Sequence, residues 1–312
     1  MSTDDSGARW WVRAVVRDVN SDRAQKLLVD YQTTDNRLSI VAGNAYNPGS
    51  LQRAFSGAYG VFGSTCETGL GKASIHEEET AHELEAGRNM VDAAKQCGIE
   101  HFVFSSLPDM VKATSGRYSK IHHMNNKHIT EQYARKELDN VTCLIPGFFY
   151  SNHYRAHYSQ RRADGVVRFC AAIPGPQKTQ WVDSSYDVGI FAAKVFLLGV
   201  DKTRGKTYPV LSEMITMDDM ASTFSRVTGQ LAVHSPLSHD EWADIAAKTL
   251  GPAYREDLKQ MMQWVSEAPT DKICYGALDP EEDQSVEELG VTASTFEDWL
   301  RRTGWTGPNH LY

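Results

Sequence analysis

The 312-residue sequence has few cysteines and none in an ordered array: Cys66, Cys97, Cys143, Cys170 and Cys274 lie far apart and make no C-x-x-C. That excludes a disulfide scaffold and a zinc ribbon, and the five read as buried thiols. Surplus cation is also missing. Thirty-two Lys and Arg stand against 40 Asp and Glu, for a net charge of −8, so direct binding to nucleic acid phosphates is not expected. No apolar run approaches the roughly 18 to 20 residues that span a bilayer, and residues 1–7 are polar, without the apolar core of a signal peptide. The expectation is a cytoplasmic protein, with the nucleus also open to it, that meets no membrane. His122, His123 and His128 stand close together without grouped carboxylates or Cys, so no metal site is predicted.

What is present is an alternation of strand-like and helix-like segments. Residues 10–16, rich in β-branched and aromatic residues, predict a strand before a helix over 21–31; 38–41 predicts a second strand before a short helix over 50–55; and 59–63 a third. Glu77, Glu78 and Glu79 suit the positive end of a long helix that Gly98 closes. Strand 101–105, helix 119–137 and strand 141–145 follow. Such spacing gives right-handed βαβ crossovers, hence an α/β fold with a doubly wound parallel sheet. Beyond Tyr150 the alternation weakens into strands at 166–171, 208–211 and 231–235 and helices at 187–198, 216–228 and 240–266. Residues 1–150 are therefore expected to form the sheet domain. Residues 151–312 are expected to form mainly a smaller α+β lobe over the C-terminal sheet edge, with some elements returning to the sheet, where doubly wound folds bind ligands.

Several segments in order resemble the NmrA-like family of atypical short-chain dehydrogenase/reductases: VRAVVRD at 12–18, GN then SLQRAFSGAYGVF within 43–62, AGRNMVDAAKQCGIEHFVFSSLPD at 86–109, NKHITEQYAR around Lys127, LIPGFFYSN at 144–152 and TFEDWL near the end. The resemblance covers most of the chain. It implies a Rossmann-type NADP(H)-binding domain with a substrate lobe, and it admits two kinds of protein: oxidoreductases, often of fungal metabolism, and regulators that sense the dinucleotide without turnover.

The matched residues carry their own chemistry. Arg17, at a strand end, can fork onto a ribose 2′-phosphate, while Asp18 beside it offers the ribose hydroxyls an acceptor instead. Asn44 stands where relatives carry Asp near the adenine, or serves only a turn. Ser64 and Thr65 follow a buried strand on the edge that lines the cofactor, or cap the loop. Ser105 ends strand HFVFS and is a candidate to hold a substrate carbonyl. Lys127 is the strongest candidate, binding the nicotinamide ribose and lowering the pKa of a nearby proton donor. The donor of typical short-chain dehydrogenases, a Tyr four residues before the Lys, is absent, and that position is His123. His123 can act as acid or base, and Tyr118 is the substitute candidate. Pro146 and Phe149, with Gly147, Phe148 and Tyr150, are placed to face the nicotinamide and wall an aromatic cavity, or to pack a core.

A second deficit follows from the resemblance. A dinucleotide fold opens with a strand, a glycine-rich turn and a helix whose N-terminus takes the pyrophosphate, and the residue ending the second strand stands about 20 residues beyond those glycines. Here that residue is 17 or 18. The first strand and its loop are thus expected to be missing, through a shortened chain rather than a lineage that abandoned tight binding. Strand 10–16 is left to pair directly with 59–63 or to stay poorly paired. Gly69-Leu70-Gly71-Lys72 lacks the spacing of a phosphate loop and reads as ordinary loop. The functional expectation is an NADP(H)-linked oxidoreductase acting on a small carbonyl or enone metabolite, with cofactor binding weak or absent. The alternative is a non-catalytic redox-sensing regulator with a protein partner.

Overall fold

In the computed structural model, which describes residues 10–68 and 73–309, the early strands are followed by well-capped helices. β1 (Val12–Val16) leads to Ser21, whose side chain caps α1 (Asp22–Tyr31). β2 (Leu38–Ala42) leads to Asn47, which caps α2 (Pro48–Phe55) in the same way. β3 (Gly60–Gly63), α3 (His82–Gln96), β4 (His101–Ser105), the short α4 (Met110–Ala113), α5 (His122–Glu137) and β5 (Val141–Pro146) complete the alternation. Gly98, at φ +64°, makes the left-handed turn from α3 to β4.

Beyond β5 the strands shorten. In order come β6 (Phe148–Phe149), β7 (Ser159–Arg161), β8 (Val167–Phe169), β9 (Trp181–Val182), α6 (Asp187–Leu198), α7 (Val200–Thr203) and β10 (Thr207–Val210). The chain then forms α8 (Met217–Thr228), β11 (Ala232–His234), α9 (His239–Leu250), α10 (Arg255–Glu267), α11 (Ser285–Leu289) and α12 (Phe296–Thr303). β11, β8 and β7 make a small sheet, and β6 pairs with β9.

The main sheet is interrupted. β10, β5, β4 and β3 hydrogen-bond in that order, all parallel, whereas β1 and β2 form a separate parallel pair. Of the two sequence-based alternatives for strand 10–16, direct pairing with 59–63 is not what forms. β1 spends one edge on β2, residue for residue from Val12 opposite Leu38 to Val16 opposite Ala42, and makes no ladder with β3. Side chains join the two sheets: Arg13 Nη1 donates to Ala54 O at 3.1 Å and Ser56 O at 2.7 Å, and the Trp10 ring lies 5.7 Å from Tyr59.

The four-stranded sheet is covered on both faces, which explains the unbroken apolar run at 102–104. Phe102 and Phe104 pack with Val91 and Ala94 of α3, while Val103 packs with Phe191 and Val195 of α6. A second core gathers Tyr150, Phe169, Trp181, Phe224, Phe296, Trp299 and Trp305. Among the described residues no helix is long and apolar enough to cross a membrane.

α3 and α5 approach closely at Gly87, where a Cβ would stand 2.5 Å from Thr130 Cγ2 and Oγ1 and 3.0 Å from its Cβ. A short β-branched side chain has little room to yield, so Gly87→Ala should cost about 1–3 kcal/mol despite its better helix propensity. Urea denaturation measures this. In the double variant Thr130→Ala should recover most of the loss, because the two changes share one contact.

Candidate functional site

The approach of α3 to α5 sets two charged side chains face to face. Glu83 lies in the first turn of α3, where the helix dipole favours a carboxylate, and it is fully buried. Lys127, on α5, donates from Nζ to Glu83 Oε1 at 2.5 Å and to Glu67 Oε1 at 3.3 Å. Thr65, just past β3, donates from Oγ1 to the same Glu83 oxygen at 2.6 Å. The loop that carries Glu67 is tied back in turn: His82 Nε2 lies 3.0 Å from Glu67 O, and Tyr46 Oη lies 2.6 Å from His82 Nδ1. A carbonyl needs a donor, so Nε2 carries the proton and the tyrosine donates to Nδ1.

One turn before Lys127, His123 Nδ1 lies 2.5 Å from Asp257 Oδ1, and the His123 backbone N–H donates to Asp257 Oδ2 at 2.9 Å. Asp257 reaches the site from α10 and is fully buried. With Nδ1 committed, Nε2 is the ring nitrogen left to exchange a proton with a ligand. Tyr254, in the turn before α10, has its hydroxyl buried without a protein partner, as does Glu83 Oε2.

The electrostatics follow from burial against pairing. Burial pulls the Lys127 ammonium down, but Glu67 and then Glu83 outweigh it and hold the group above its ordinary value. Burial pushes Glu67 up, but Lys127 and His123 bring its carboxyl down to about 2. His123 is likewise pulled down by burial and raised above 6.5 by the Asp257 carboxylate. Tyr254 is pushed up by burial first, then by Glu83, Asp257 and Glu67. The chemistry available is proton transfer at His123 beside a fixed, protonated lysine.

The structure thus brings together Thr65, His123 and Lys127 of the sequence-derived candidates and adds Glu67, Glu83, Asp257 and Tyr254. Ser105 ends β4, opposite Leu144, and Ser64 is exposed, its hydroxyl bonded to Thr65 O. Tyr118 stands apart, donating to Glu267 Oε1 at 2.7 Å beside the Trp264 ring. Arg17 is exposed just beyond β1, Asp18 takes the Asn20 N–H, and Asn44 accepts from the Tyr46 N–H in the turn before α2. Pro146 ends β5 and is buried; Phe149 is part-exposed on β6, and Phe148 packs on Trp181 and Tyr275. Near Phe148 a cavity of about 30 Å³ has room for about one water. His122 pairs with Glu77 and His128 lies near Asp109, and among the described residues no group of His, Cys, Asp and Glu could hold a metal ion.

No glycine-rich turn links a strand to a helix N-terminus among the described residues. Gly57, Gly60 and Gly63 have a G-x-x-G-x-x-G spacing that sequence reading passed over, but they lead into and form β3. A Cβ on Gly60 would lie 2.6 Å from the Phe196 ring and 2.9 Å from His101 O, so packing accounts for it. Gly69-Leu70-Gly71-Lys72 lies outside the described residues.

Comparison with known proteins gives a consistent picture. A model of the NmrA-like family matches residues 2–300. The NmrA-like family domain-containing oxidoreductase malD of Malbranchea aurantiaca is 25% identical over 318 residues, covering 93% of this chain and 88% of that protein. The corresponding oxidoreductase hkm9 of Aspergillus hancockii is 27% identical over 267 residues, covering 80% and 73%. Among solved structures, the negative transcriptional regulator Nmra has a TM-score of 0.73 at 22% identity, over 93% of this chain and 87% of that one. It has also been solved with NAD and with NADP. At that identity the likeness establishes the fold, an α/β fold with parallel sheets.

The His123–Asp257 pair makes stability depend on pH with a definite sign. A histidine raised on folding contributes stability that is complete below about pH 6.5 and is lost as pH rises through the folded-state value. Urea denaturation across a pH series should show this loss in the native chain and a flatter profile for Asp257→Asn. Superimposable profiles would remove the pair from the pH response.

Proposed function

The chain belongs to the NmrA-like family, and from that premise we propose that it is an oxidoreductase of the atypical short-chain dehydrogenase/reductase type acting on a small carbonyl or enone metabolite. In this reading His123 is the proton donor, residues 1–150 form the cofactor-side domain and 151–312 mainly the substrate lobe. The observation that carries it is the His123–Asp257 pair one helical turn from Lys127: a carboxylate orients the imidazole and keeps its proton on Nδ1 or on both nitrogens, leaving Nε2 aimed for transfer. The curated relatives malD and hkm9 are both oxidoreductases.

The described residues do not fit a tightly held dinucleotide. Arg17, Asn44 and Thr65 follow the C-terminal ends of β1, β2 and β3, where an adenosine moiety would rest. Among the described residues, however, no strand, glycine turn or helix N-terminus lies between β1 and β3 to meet a pyrophosphate, and the Lys127 ammonium is engaged by two carboxylates. Weak NADP(H) binding is therefore part of the proposal. Those same carboxylates favour one alternative, a regulator that responds to the dinucleotide and to a protein partner without turnover, because a lysine so neutralised is poorly placed to draw a cofactor phosphate or assist a proton donor.

Calorimetric titration with NADPH should give a dissociation constant weaker than about 100 µM; micromolar affinity would overturn the weak-binding proposal. NADPH consumption over a panel of carbonyl and enone compounds should then fall about 100-fold or more in His123→Gln. Binding without consumption of any compound would favour the regulator instead.

A further inference from the structure

The turn that follows α10 sets two strained residues beside unfilled space. Cys274 and Tyr275 have φ of +53° and +59°, and Gly276 follows at +76°, so two residues other than glycine stand in succession in the left-handed region, where few do. The turn is closed on itself, since Ile273 N–H donates to Leu278 O at 3.0 Å and Leu278 N–H to Ile273 O at 3.3 Å. Two further bonds fasten it to the rest of the molecule. The Cys274 N–H donates to Gln180 Oε1 at 3.0 Å, and the Trp264 indole N–H donates to Tyr275 O at 2.8 Å.

What the turn holds in place is an aromatic ring. Tyr275 lies 5.0 Å from Phe148, which lies 4.9 Å from the fully buried Trp181. Three rings thus run in a row from the core, and Tyr275, half-buried, is the last of them. The row stands at the C-terminal end of β5: Phe148 is two residues beyond that strand, and Ile145 within it packs with Ile273 and Cys274 of the turn. Doubly wound folds bind ligands along this edge of the sheet. The cavity of about 30 Å³ lies here, bounded by Phe148, Leu211, Met214 and Val265 and by the turn from Ile273 to Gly276. A turn that served only to pack the core would have no use for a costly backbone beside a void.

We propose that the face of Phe148 turned to Tyr275 is a subsite for one aromatic ring of the substrate, that the Tyr275 ring occupies it in the ligand-free chain, and that the 273–278 turn swings out when the ligand ring enters. Tyr275 itself supplies the measure of the ligand: the place seats one six-membered ring against an aromatic face, among apolar side chains. Opening breaks the two fastening bonds and releases Cys274 and Tyr275 from the left-handed region. Strain therefore favours the open turn, while the bonds and the ring contact favour the closed one, and a ligand that takes over the ring contact tips the balance. The substrate class narrows to carbonyl or enone compounds that carry an aromatic ring. Its carbonyl rests on the oxidoreductase reading above; its ring rests on the turn.

The test uses the full 312-residue chain without cofactor, and two enones as probes: benzylideneacetone, which carries a phenyl ring, and mesityl oxide, which carries none. A ligand that merely binds slows hydrogen exchange, whereas one that displaces a gate speeds it. Benzylideneacetone should therefore raise exchange roughly tenfold at the Cys274 amide and the Trp264 indole N–H, and mesityl oxide should leave both unchanged. Titration followed by NMR should show Tyr275→Ala binding benzylideneacetone about tenfold more tightly than the native chain, because the competing ring is gone. Slowed or unchanged exchange at the two groups, an equal response to both enones, or equal affinity of the native chain and Tyr275→Ala would each overturn the proposal. The exchange readouts need no variant, so they stand if Tyr275→Ala folds poorly. None of the readouts needs NADPH, so a failure of the oxidoreductase reading would show separately, as ring binding and turn opening without NADPH consumption.

Discussion

The ammonium of Lys127 is buried where α3 meets α5, and a buried charge has to be met in place. Glu83 meets it from the facing helix, Glu67 from the loop after β3, and Thr65 supplies a hydroxyl to the shared carboxylate. Removing one member of such a group leaves the others desolvated and unpaired, at a cost of about 3–5 kcal/mol. The glycine at 87 is the geometric condition for the arrangement, since it lets the helices come close enough for short side-chain reach. Sheet, helices and polar centre are thereby coupled: α3 and α5 cover one face of the four-stranded sheet with apolar residues and turn their charged residues to the end of β3.

Around that pair the second half of the chain closes the site. α10 delivers Asp257 to His123 and the preceding turn delivers Tyr254, so the His123 imidazole is held by a helix residue 134 positions further along the sequence. An imidazole fixed at Nδ1, next to a permanently charged lysine, is suited to hand a proton to a ligand oxygen. The price of burying so many ionisable groups is visible in the orphaned Glu83 Oε2 and Tyr254 hydroxyl.

The cofactor side is governed by a different constraint. A parallel strand needs a neighbour on each edge unless solvent replaces it, and among the described residues β1 pairs with β2 and β3 with β4 alone. The strand ends still carry Arg17, Asn44 and Thr65, residues of the kind that line an adenosine site. Among the described residues, no glycine-rich turn at a helix N-terminus lies between β1 and β3.

Much of the local structure was legible in the sequence. The β-branched runs, the acidic approach to α3 and the turn at Gly98 are decided within a few residues of themselves, and they led to the parallel α/β fold. His123 and Lys127 were legible as a pair because a spacing of four puts them on one helical face. Glu83 was hidden in an acidic stretch that looked like helix-dipole decoration. Asp257 was one of many charges on a Met-rich helix, and Tyr118, attractive on paper, turned to Glu267 instead. Whether β1 would reach β3 was also undecided, because strand pairing depends on which crossover brings which edge alongside. The sequence determined the elements and the helical face that carries the chemistry; the tertiary structure alone decided which charges are buried together and where the sheet breaks, since both depend on contacts between segments far apart in the chain.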